Sequence, residues 1–360
     1  MNPKHFLLAC LIAAGSGLLG AVQAEEPTFE RIFGPEVRTG PYKHPACLTE
    51  LSNGDFYLVY YGGADEYAVD TGVFGARLRK GASGWTTPQR IAADPFRSVG
   101  NAVVWEAPDG LVWLFYVVRF GKTWSTSRVQ VKVSHDLAES WSDSSILVLD
   151  QGTLVRNRPI VLENGDYLLP LYHETGEDTE ESGPESYSFF LRYVPNDRTW
   201  SPTGPIRSPR GNLQPAPAEI APGRLIAFCR RAGDYRPETV GHIIRSESRD
   251  GGQTWSEGVD TEFPNPNAAI DLLKLQSGRL LLVYNNSMNR RTPLTLALSS
   301  DSGTTWPVRR NLREGNNDFG YPIALQARDG KIHIVYTSDR RSVVNRAILD
   351  EAWILETPSP

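Results

Sequence analysis

Six glycines recur at nearly equal intervals along this chain, and each one closes a short apolar hairpin. They lie 52 to 58 residues apart, and a tryptophan follows every one of them. A fixed period of this length is typical of a repeat architecture. The sequence therefore predicts six similar units, not the two or three unrelated domains that 360 residues alone would allow. The glycines are Gly54, Gly110, Gly165, Gly223, Gly278 and Gly330, and the tryptophans are Trp85, Trp141, Trp200, Trp255, Trp306 and Trp353.

Each unit begins with two antiparallel strands. In the third unit, residues 158–162 and 167–171 are apolar segments joined at Asn164-Gly165, a dipeptide that favours a type I′ turn because both residues tolerate positive φ. The return strands, such as residues 280–284, are apolar without alternation, so both of their faces must be covered. A stack of four-stranded sheets gives that cover, because each sheet lies between two neighbours.

A second strand pair in each unit ends in a turn with a recurring motif, the Asp-box. Residues 248–255 and 299–306 both fit Ser-x-Asp-x-Gly-x-Thr-Trp, and residues 134–141 are a degenerate copy. The Asp can accept hydrogen bonds from backbone N–H groups of the turn, and the Trp can pack between sheets. Because the motif decays without interrupting the repeat, we interpret it as a structural turn and not as a ligand site.

Six four-stranded units that close into a ring make an all-β fold, a six-bladed β-propeller with Asp-box turns. Trp353 lies only 23 residues after Gly330, a shorter interval than in the other units, so the last sheet lacks a strand. We predict that residues 28–33 supply it. Residues 25–360 are then expected to form a single propeller domain.

The first 24 residues have the pattern of a secretion signal. Lys4 precedes an apolar run at residues 6–19, and residues 22–24 fit a cleavage site. No other segment is long and apolar enough to cross a bilayer, so we expect a periplasmic or extracellular protein without a membrane partner once the signal is removed. Cys47 and Cys229 fall in units on opposite sides of the ring, which predicts two buried, unpaired thiols.

Charge and residue spacing argue against several kinds of partner. The net charge is −5 and no run of Lys or Arg stands out, so no nucleic-acid partner is expected. The His and Cys residues lack the spacing of metal ligands, so neither a metal nor another cofactor is predicted. We expect a monomer.

Polar residues collect at one mouth of the predicted ring. Antiparallel pairing places the start of each first strand and the end of each second strand on the face opposite the six glycine turns, near the axis. Acids, bases, amides and a tyrosine that converge there predict a binding funnel. The starts are His44, Asn101, Arg156, Gln214, Tyr321 and, in the irregular fifth unit, Asn267 and Asp271; the ends are Asp65, Glu66, Arg119, Glu174, Arg230, Asn285 and Arg340.

The intact Asp-boxes, the six-fold repeat and the export signal together resemble the sialidase superfamily, and more narrowly its BNR repeat-like, sialidase-like branch. The resemblance spans residues 42–353 and is carried most by residues 265–271, 291–294 and 321–323. It implies a secreted glycoside hydrolase that removes a terminal acidic sugar, sialic acid or a relative, from a glycan or polysaccharide.

The resemblance implies a site for the carboxylate of that sugar. Sialidases hold it with three arginines, of which Arg230 and Arg291 match two. Lys43-His44 stands where the third arginine would be, and neither side chain can reproduce a bidentate guanidinium contact. Further contacts to the sugar are expected from the other polar residues at the mouth, namely His44, Lys43, Gln214, Asp271, Asn267 and Arg340.

The resemblance also implies catalytic residues. Tyr321 matches the nucleophilic tyrosine, whereas Gln214 stands where the glutamate that activates it would be, and Gln cannot take the proton. The acid/base role falls to Glu66 or, as the lesser choice, Asp65. Glu174 lies on the same face and could substitute for the missing base.

Two other functions remain open from the sequence. A propeller that binds glycans without catalysis would show saturable binding and no turnover. A polysaccharide lyase would use Tyr321 or His44 to remove the C5 proton of a uronate while Arg230 neutralises its carboxylate, and it would release an unsaturated product.

Overall fold

Residues 24–177, 179, 181–236 and 238–356 are described by the computed structural model, so the predicted secretion signal lies outside the described residues except for Ala24. Their strands form six antiparallel sheets arranged as the blades of a propeller. The predicted all-β, six-bladed fold is confirmed. The first strand, β1 (Thr28–Phe33), belongs to the last blade.

The next thirteen strands build blades 1 to 3. In blade 3 the short strands β10 and β11 share the innermost position, and both pair with β12. Blade 1 contains β2 (Tyr42–Glu50), β3 (Phe56–Gly63), β4 (Gly72–Leu78) and β5 (Gln89–Ala93); blade 2 contains β6 (Val99–Glu106), β7 (Val112–Arg119), β8 (Ser127–Ser134) and β9 (Ser145–Val148); blade 3 contains β10 (Thr153–Val155), β11 (Ile160–Val161), β12 (Tyr167–His173), β13 (Tyr187–Val194) and β14 (Thr199–Pro202).

The remaining strands build blades 4 to 6. A 3₁₀ turn at Trp124–Thr126 and a short helix, α1 (Glu351–Leu355), are the helical elements of the described residues, and neither is long enough to span a membrane. Blade 4 contains β15 (Asn212–Ala221), β16 (Arg224–Arg231), β17 (His242–Ser248) and β18 (Val259–Pro264); blade 5 contains β19 (Asp271–Lys274), β20 (Leu280–Asn285), β21 (Leu294–Ser299) and β22 (Val308–Arg313); blade 6 contains β23 (Gly320–Gln326), β24 (Ile332–Ser338) and β25 (Val343–Leu349).

Strand β1 completes blade 6 as its outermost strand, which confirms the prediction for residues 28–33. It pairs antiparallel with β25, so that Thr28 lies opposite Ile348 and Phe33 opposite Val344. Strand β1 thereby closes the ring, although it lies far from the other strands of blade 6 along the chain. Blade 6 also joins blade 1 through Glu50, whose Oε2 accepts a hydrogen bond from the backbone N–H of Arg328 at 2.8 Å.

The Asp-boxes are turns that fasten neighbouring blades together. In blade 4, Ser248 Oγ accepts from the backbone N–H of Gly252 at 2.8 Å, and Asp250 Oδ1 accepts from the N–H of Thr254 at 3.0 Å. Trp255 then stacks on Phe190 of the preceding blade, with ring centroids 4.7 Å apart. All of these contacts are internal to the fold, as the structural interpretation of the motif requires.

The two cysteines of the described residues are buried and unpaired, as predicted. Cys47 lies on β2 and Cys229 on β16, and burial raises the pKa of both thiols. They pack as small apolar side chains in the blade cores.

Candidate active site

Irregularities of the innermost strands aim polar side chains at the propeller axis. The pairing of β2, β6, β15 and β23 with their neighbours shifts register near the start of each strand. Asn101, Gln214 and Tyr321 lie within these shifts at φ of 47°, 52° and 56°, and Asn267, before β19, has φ 56°. A bulge of this kind redirects one side chain while the strand continues. The apolar blades thus present a ring of polar groups at one mouth.

A cavity that opens to solvent occupies this mouth, and its empty space together with the solvent at its opening is about 470 Å³. Seven residues singled out from the sequence line it, and they come from five different blades: His44, Glu66, Asn101, Glu174, Gln214, Arg230 and Tyr321. Aromatic residues complete much of the wall, among them Tyr61, Tyr67, Trp124, Tyr172 and Tyr235. Aromatic faces beside convergent polar groups are the composition of a site for a polar ring such as a sugar.

Arg230, at the end of β16, is the centre of the hydrogen bonding. Its Nη1 donates to the hydroxyl of Tyr321 at 2.8 Å, and its Nη2 donates to the hydroxyl of Tyr235 at 2.6 Å. Its Nε donates to Asn267 Oδ1 at 2.7 Å, which fixes the plane of the guanidinium. One rigid cation therefore positions two phenols side by side.

Tyr321 is surrounded by positive charge. The guanidinium carbons of Arg230 and Arg291 lie 5.8 Å and 5.2 Å from the centre of its ring. Burial alone would raise the pKa of Tyr321, but Arg230, Arg291 and Arg341 outweigh it, so the pKa lies below its ordinary value. Stabilisation of the phenolate makes the oxygen a better nucleophile at neutral pH.

The backbone of Tyr321 is held from below by Arg156. Arg156 is fully buried, and its Nη2 donates to the carbonyl oxygens of Tyr321 at 2.7 Å and Pro322 at 3.2 Å. Beside it, Tyr172 accepts hydrogen bonds from Asn101 Nδ2 at 3.0 Å and from Gln214 Nε2 at 3.4 Å. These contacts make a buried polar floor under the tyrosine.

Glu174, just beyond β12, forms no salt bridge with the residues that the structure describes. Ser182 Oγ donates to its Oε1 at 3.2 Å. Burial raises the pKa of Glu174 to about 7, against the opposing effects of Arg230 and Ser182. A carboxyl group with this pKa can both hold and release a proton at neutral pH, as a general acid or base requires.

Glu66, in the loop after β3, is paired instead. Its Oε2 forms a salt bridge with Nη1 of Arg341, and both side chains remain partly exposed to the cavity. The same Nη1 lies 3.4 Å from the hydroxyl of Tyr42. The two glutamates of the cavity therefore occupy different electrostatic environments.

His44 lies directly against the nucleophile candidate. Its ring meets that of Tyr321 edge to face, with centroids 4.1 Å apart, and its Nδ1 lies 2.7 Å from Thr337 Oγ1 of blade 6. Burial, together with the neighbouring arginines, holds the pKa of His44 well below its ordinary value. The side chain is therefore neutral at physiological pH, where the resemblance had led us to look for a guanidinium.

Six of the predicted site residues do not line the cavity, although two of them, Arg291 and Asn267, contact residues that do. Asp65 is exposed and caps the backbone N–H of Tyr67 at 2.7 Å. Lys43 is buried with its Nζ on the carbonyl of Gly40 at 2.5 Å, because alternate residues of β2 face opposite sides. The other two are Asp271, whose Oδ2 accepts from the backbone N–H of Ala324 at 2.7 Å, and Arg340, which is exposed.

The sequence did not predict several residues that line the cavity, and two of them, Arg341 and Tyr235, interact with its central groups. Arg341 lines the cavity in place of Arg340, because β24 is followed by a turn that counting along a strand does not foresee. Tyr235 lies in the loop after β16, outside the repeat, and the sequence offers no periodic signal for it. The one available clue was an aromatic residue shortly after Arg230 in a unit whose strand ends face the funnel.

Comparison with known families agrees with this architecture. The profile of the BNR repeat-like domain family matches residues 54–334, which is most of the chain. The chain belongs to that family. A comparison with curated proteins finds no match.

Solved structures of the same fold include glycoside hydrolases. The Hadza microbial sialidase Hz136 has a TM-score of 0.72 at 17% identity, covering 88% of this chain and 67% of its own. The NanB sialidase from Streptococcus pneumoniae has a TM-score of 0.73 at 12% identity, covering 90% and 70%. The α-L-arabinofuranosidase Arb93A from Fusarium graminearum has a TM-score of 0.64 at 11% identity, covering 92% and 99%. At these identities the likeness shows the fold and not the substrate.

Among the described residues, no group of three or more His, Cys, Asp or Glu side chains is arranged to hold a metal ion. The chemistry that the cavity offers is a polarised phenol, a carboxyl group with a pKa near neutrality and several guanidinium groups. This set can bind an anion, transfer a proton and attack an electrophilic carbon.

Proposed function

We propose that this BNR repeat-like protein is a sialidase-like glycoside hydrolase that removes a terminal acidic sugar from a glycan or polysaccharide. The observation that carries the proposal is the 2.8 Å hydrogen bond from Arg230 Nη1 to the hydroxyl of Tyr321, inside a cavity that Glu174 also lines. A tyrosine nucleophile is the departure of sialidases from the two-carboxylate scheme of most glycosidases. The arginines would hold the carboxylate of the sugar, since guanidinium groups bind carboxylates through two parallel hydrogen bonds.

In the proposed reaction Tyr321 is the nucleophile and Glu174 is first the acid and then the base. The phenolate oxygen of Tyr321 attacks the anomeric carbon, and the bond from that carbon to the leaving oxygen breaks. Glu174 gives its proton to the leaving oxygen and then takes a proton from the water that releases the sugar from Tyr321. The sequence favoured Glu66 as the acid, but Glu174 is better suited because Glu66 is paired with Arg341. The missing family glutamate is compensated by the arginines, which stabilise the phenolate directly.

A panel of chromogenic substrates tests the proposal. An α-N-acetylneuraminide and α- and β-hexuronides of 4-nitrophenol are incubated with the purified protein beside a uronate polysaccharide. Released 4-nitrophenol is measured by its visible absorbance, and an unsaturated product of the polysaccharide by its absorbance in the near ultraviolet. We expect phenol release from at least one acidic glycoside. The Tyr321→Phe variant should lower kcat by roughly 10²- to 10⁴-fold and stay folded at the assay temperature, with a lower unfolding temperature because Arg230 Nη1 loses its acceptor.

The other outcomes identify the alternatives. An unsaturated product from the polysaccharide without phenol release would indicate a lyase. Saturable binding of the acidic sugars without any product would indicate a binding propeller. Full activity in Tyr321→Phe would contradict the role of the tyrosine even if the protein proves to be a hydrolase.

A further inference from the structure

The corner of the cavity between blades 6 and 1 is where a third carboxylate-binding arginine would be expected and is not found on β2. His44 occupies the position and is neutral. A neutral imidazole cannot form two parallel charge-assisted hydrogen bonds with a carboxylate. Unless another cation reaches this corner, the cavity has a different anion-binding capacity from the one that the resemblance implied.

Arg341 reaches the same corner from the other side. The backbone N–H of Lys43 donates to the carbonyl oxygen of Arg341 at 2.7 Å, so the turn after β24 is fastened directly to the strand that carries His44. Arg341 lines the cavity, and its positive charge contributes to the lowered pKa of Tyr321. Its Nη1 is bonded to Glu66 and Tyr42, whereas its Nε and Nη2 make no hydrogen bond to the described residues.

The turn that delivers Arg341 is strained. Asp339, Arg340 and Arg341 have φ of 54°, 54° and 65°, three consecutive left-handed residues of which none is glycine. Such a conformation is unfavourable for residues other than glycine and persists only where the surroundings impose it. Here the side-chain oxygens of Asn317 and Asp318 accept from the backbone N–H groups of Asp339 and Arg340, at 3.1 Å and 2.9 Å.

We propose that Arg341 supplies the third guanidinium for the substrate carboxylate, from blade 6 in place of blade 1. Glu66 holds the side chain in position, and the N–H groups of Nε and Nη2, which make no hydrogen bond to the described residues, are available to the ligand. The substrate class rests on the proposed function. The position of Arg341 and its unused donors do not depend on the proposed function.

Ligand binding tests this inference without requiring turnover. N-acetylneuraminic acid, D-glucuronic acid and the methyl ester of each are titrated into the protein by NMR. The variants are Arg341→Met, Arg340→Met as the matched control, and the double variant His44→Arg/Arg341→Met. Arg340 shares the turn and the left-handed φ of Arg341 but is exposed, so its replacement should leave binding unchanged.

We expect the wild type to prefer at least one acid over its methyl ester, and Arg341→Met to weaken binding of that acid by roughly 10- to 100-fold, as for a hydrogen bond between charged groups. Binding of the ester should hardly change. His44→Arg/Arg341→Met should recover part of the preference, because the guanidinium returns to the same corner. Equal losses for acid and ester, a loss equal to that of Arg340→Met, or no preference in the wild type would overturn the inference. Failure of the substrate panel alone would overturn the proposed function and leave this result standing.

Discussion

The two glutamates of the cavity show how neighbouring residues of one type acquire different chemistry. Glu66 is paired with Arg341, whereas Glu174 accepts a hydrogen bond from Ser182 and is buried enough for its pKa to be raised. Environments that separate two carboxyl groups in this way assign the acid role to the one that keeps its proton. Glu174 is therefore the residue whose titration should be visible in the kinetics.

We expect kcat/KM to fall as the pH rises through about 7, because deprotonated Glu174 has no proton for the leaving group. Glu174→Gln should lower kcat by roughly 10²- to 10⁴-fold and abolish this fall of kcat/KM, which forms the alkaline limb of the pH profile. Ser182→Ala should move the limb to higher pH, since the hydrogen bond from Ser182 lowers the pKa of Glu174. A pH profile of each variant on the best substrate of the panel makes the measurement. An unshifted limb in Ser182→Ala would mean that another group titrates there.

The same pKa has a consequence for stability. A carboxyl group whose pKa is higher in the folded than in the unfolded protein binds more protons when folded, so stability falls as the pH rises between the two values, here from about 4.5 to about 7. Glu174→Gln should therefore unfold at a higher temperature than the wild type at pH 8 and at a similar one at pH 4. Thermal unfolding at the two pH values separates this electrostatic effect from the loss of activity.

Residue positions could be predicted from the sequence only where the strand pattern extends to them. Counting from the hairpin glycines located Glu174, Arg230 and Tyr321, because antiparallel pairing fixes which strand ends share a face. The same count chose Arg340 over Arg341. Three left-handed residues follow β24, and a strand period contains no information about the direction of side chains in such a turn.

At the scale of elements, the Asp-box is the unit that holds one blade to the next. Its Ser accepts a hydrogen bond from a buried backbone N–H group, Gly252 in blade 4 and Gly303 in blade 5. Loss of that acceptor leaves a buried donor unsatisfied, which costs about 1–3 kcal/mol. The motif could be predicted from the sequence because its hydrogen bonds join residues of one eight-residue segment. Its remaining contact is the packing of the tryptophan that ends the segment.

We expect Ser248→Ala and Ser299→Ala each to lower the free energy of unfolding by about 1–3 kcal/mol, with little change in kcat, because the boxes lie on the face opposite the cavity. Ser302→Ala is the matched control, since Ser302 is exposed in the same turn as Ser299. Urea unfolding followed by tryptophan fluorescence makes the comparison. A control variant as unstable as Ser299→Ala would refute the assignment of the stability to the buried hydrogen bond.

One element departs from the repeat for a reason that the sequence contains. The innermost strand of blade 3 is split into β10 and β11, although residues 158–162 read as one strand. Pro159 has no N–H group to give to the sheet and interrupts the pairing. The interruption coincides with Arg156 and Asn157, which turn toward the axis and hold the backbone below the cavity. The break is thus part of what supports Tyr321.

At the scale of the whole molecule, the candidate site exists only when the ring is closed. Its residues come from blade 1 (His44 and Glu66), blade 3 (Glu174), blade 4 (Arg230) and blade 6 (Tyr321). The final join depends on β1, which lies outermost in blade 6 and touches blade 1. The shortened last unit predicted that β1 completes blade 6. The contacts between β1 and blade 1 could not be predicted, because they depend on side chains that are distant in the sequence.

Glu30 of β1 is the centre of that join. Its Oε2 accepts from Arg346 Nε at 2.8 Å and lies 2.6 Å from Nη2, and its Oε1 accepts from Trp85 Nε1 of blade 1 at 2.9 Å. Arg346 is buried, and Glu30 is its only carboxylate partner among the described residues, so removal of Glu30 would leave a charge in the protein interior without compensation. Glu30 thereby links three segments, β1, β25 and the end of blade 1.

We expect Glu30→Gln to lower the free energy of unfolding by roughly 1–3 kcal/mol, the cost of leaving a buried charged donor without its acceptor. Glu36→Gln, which breaks the exposed pair with Arg31, is the matched control and should change little. Well below the unfolding temperature Glu30→Gln should keep its kcat and its ligand affinity, because the cavity is still assembled. Both properties should instead disappear together at a lower temperature than in the wild type. Thermal unfolding and activity are measured on the same samples. Loss of activity below the unfolding temperature would mean that closure of the ring affects the geometry of the site as well as the stability of the fold.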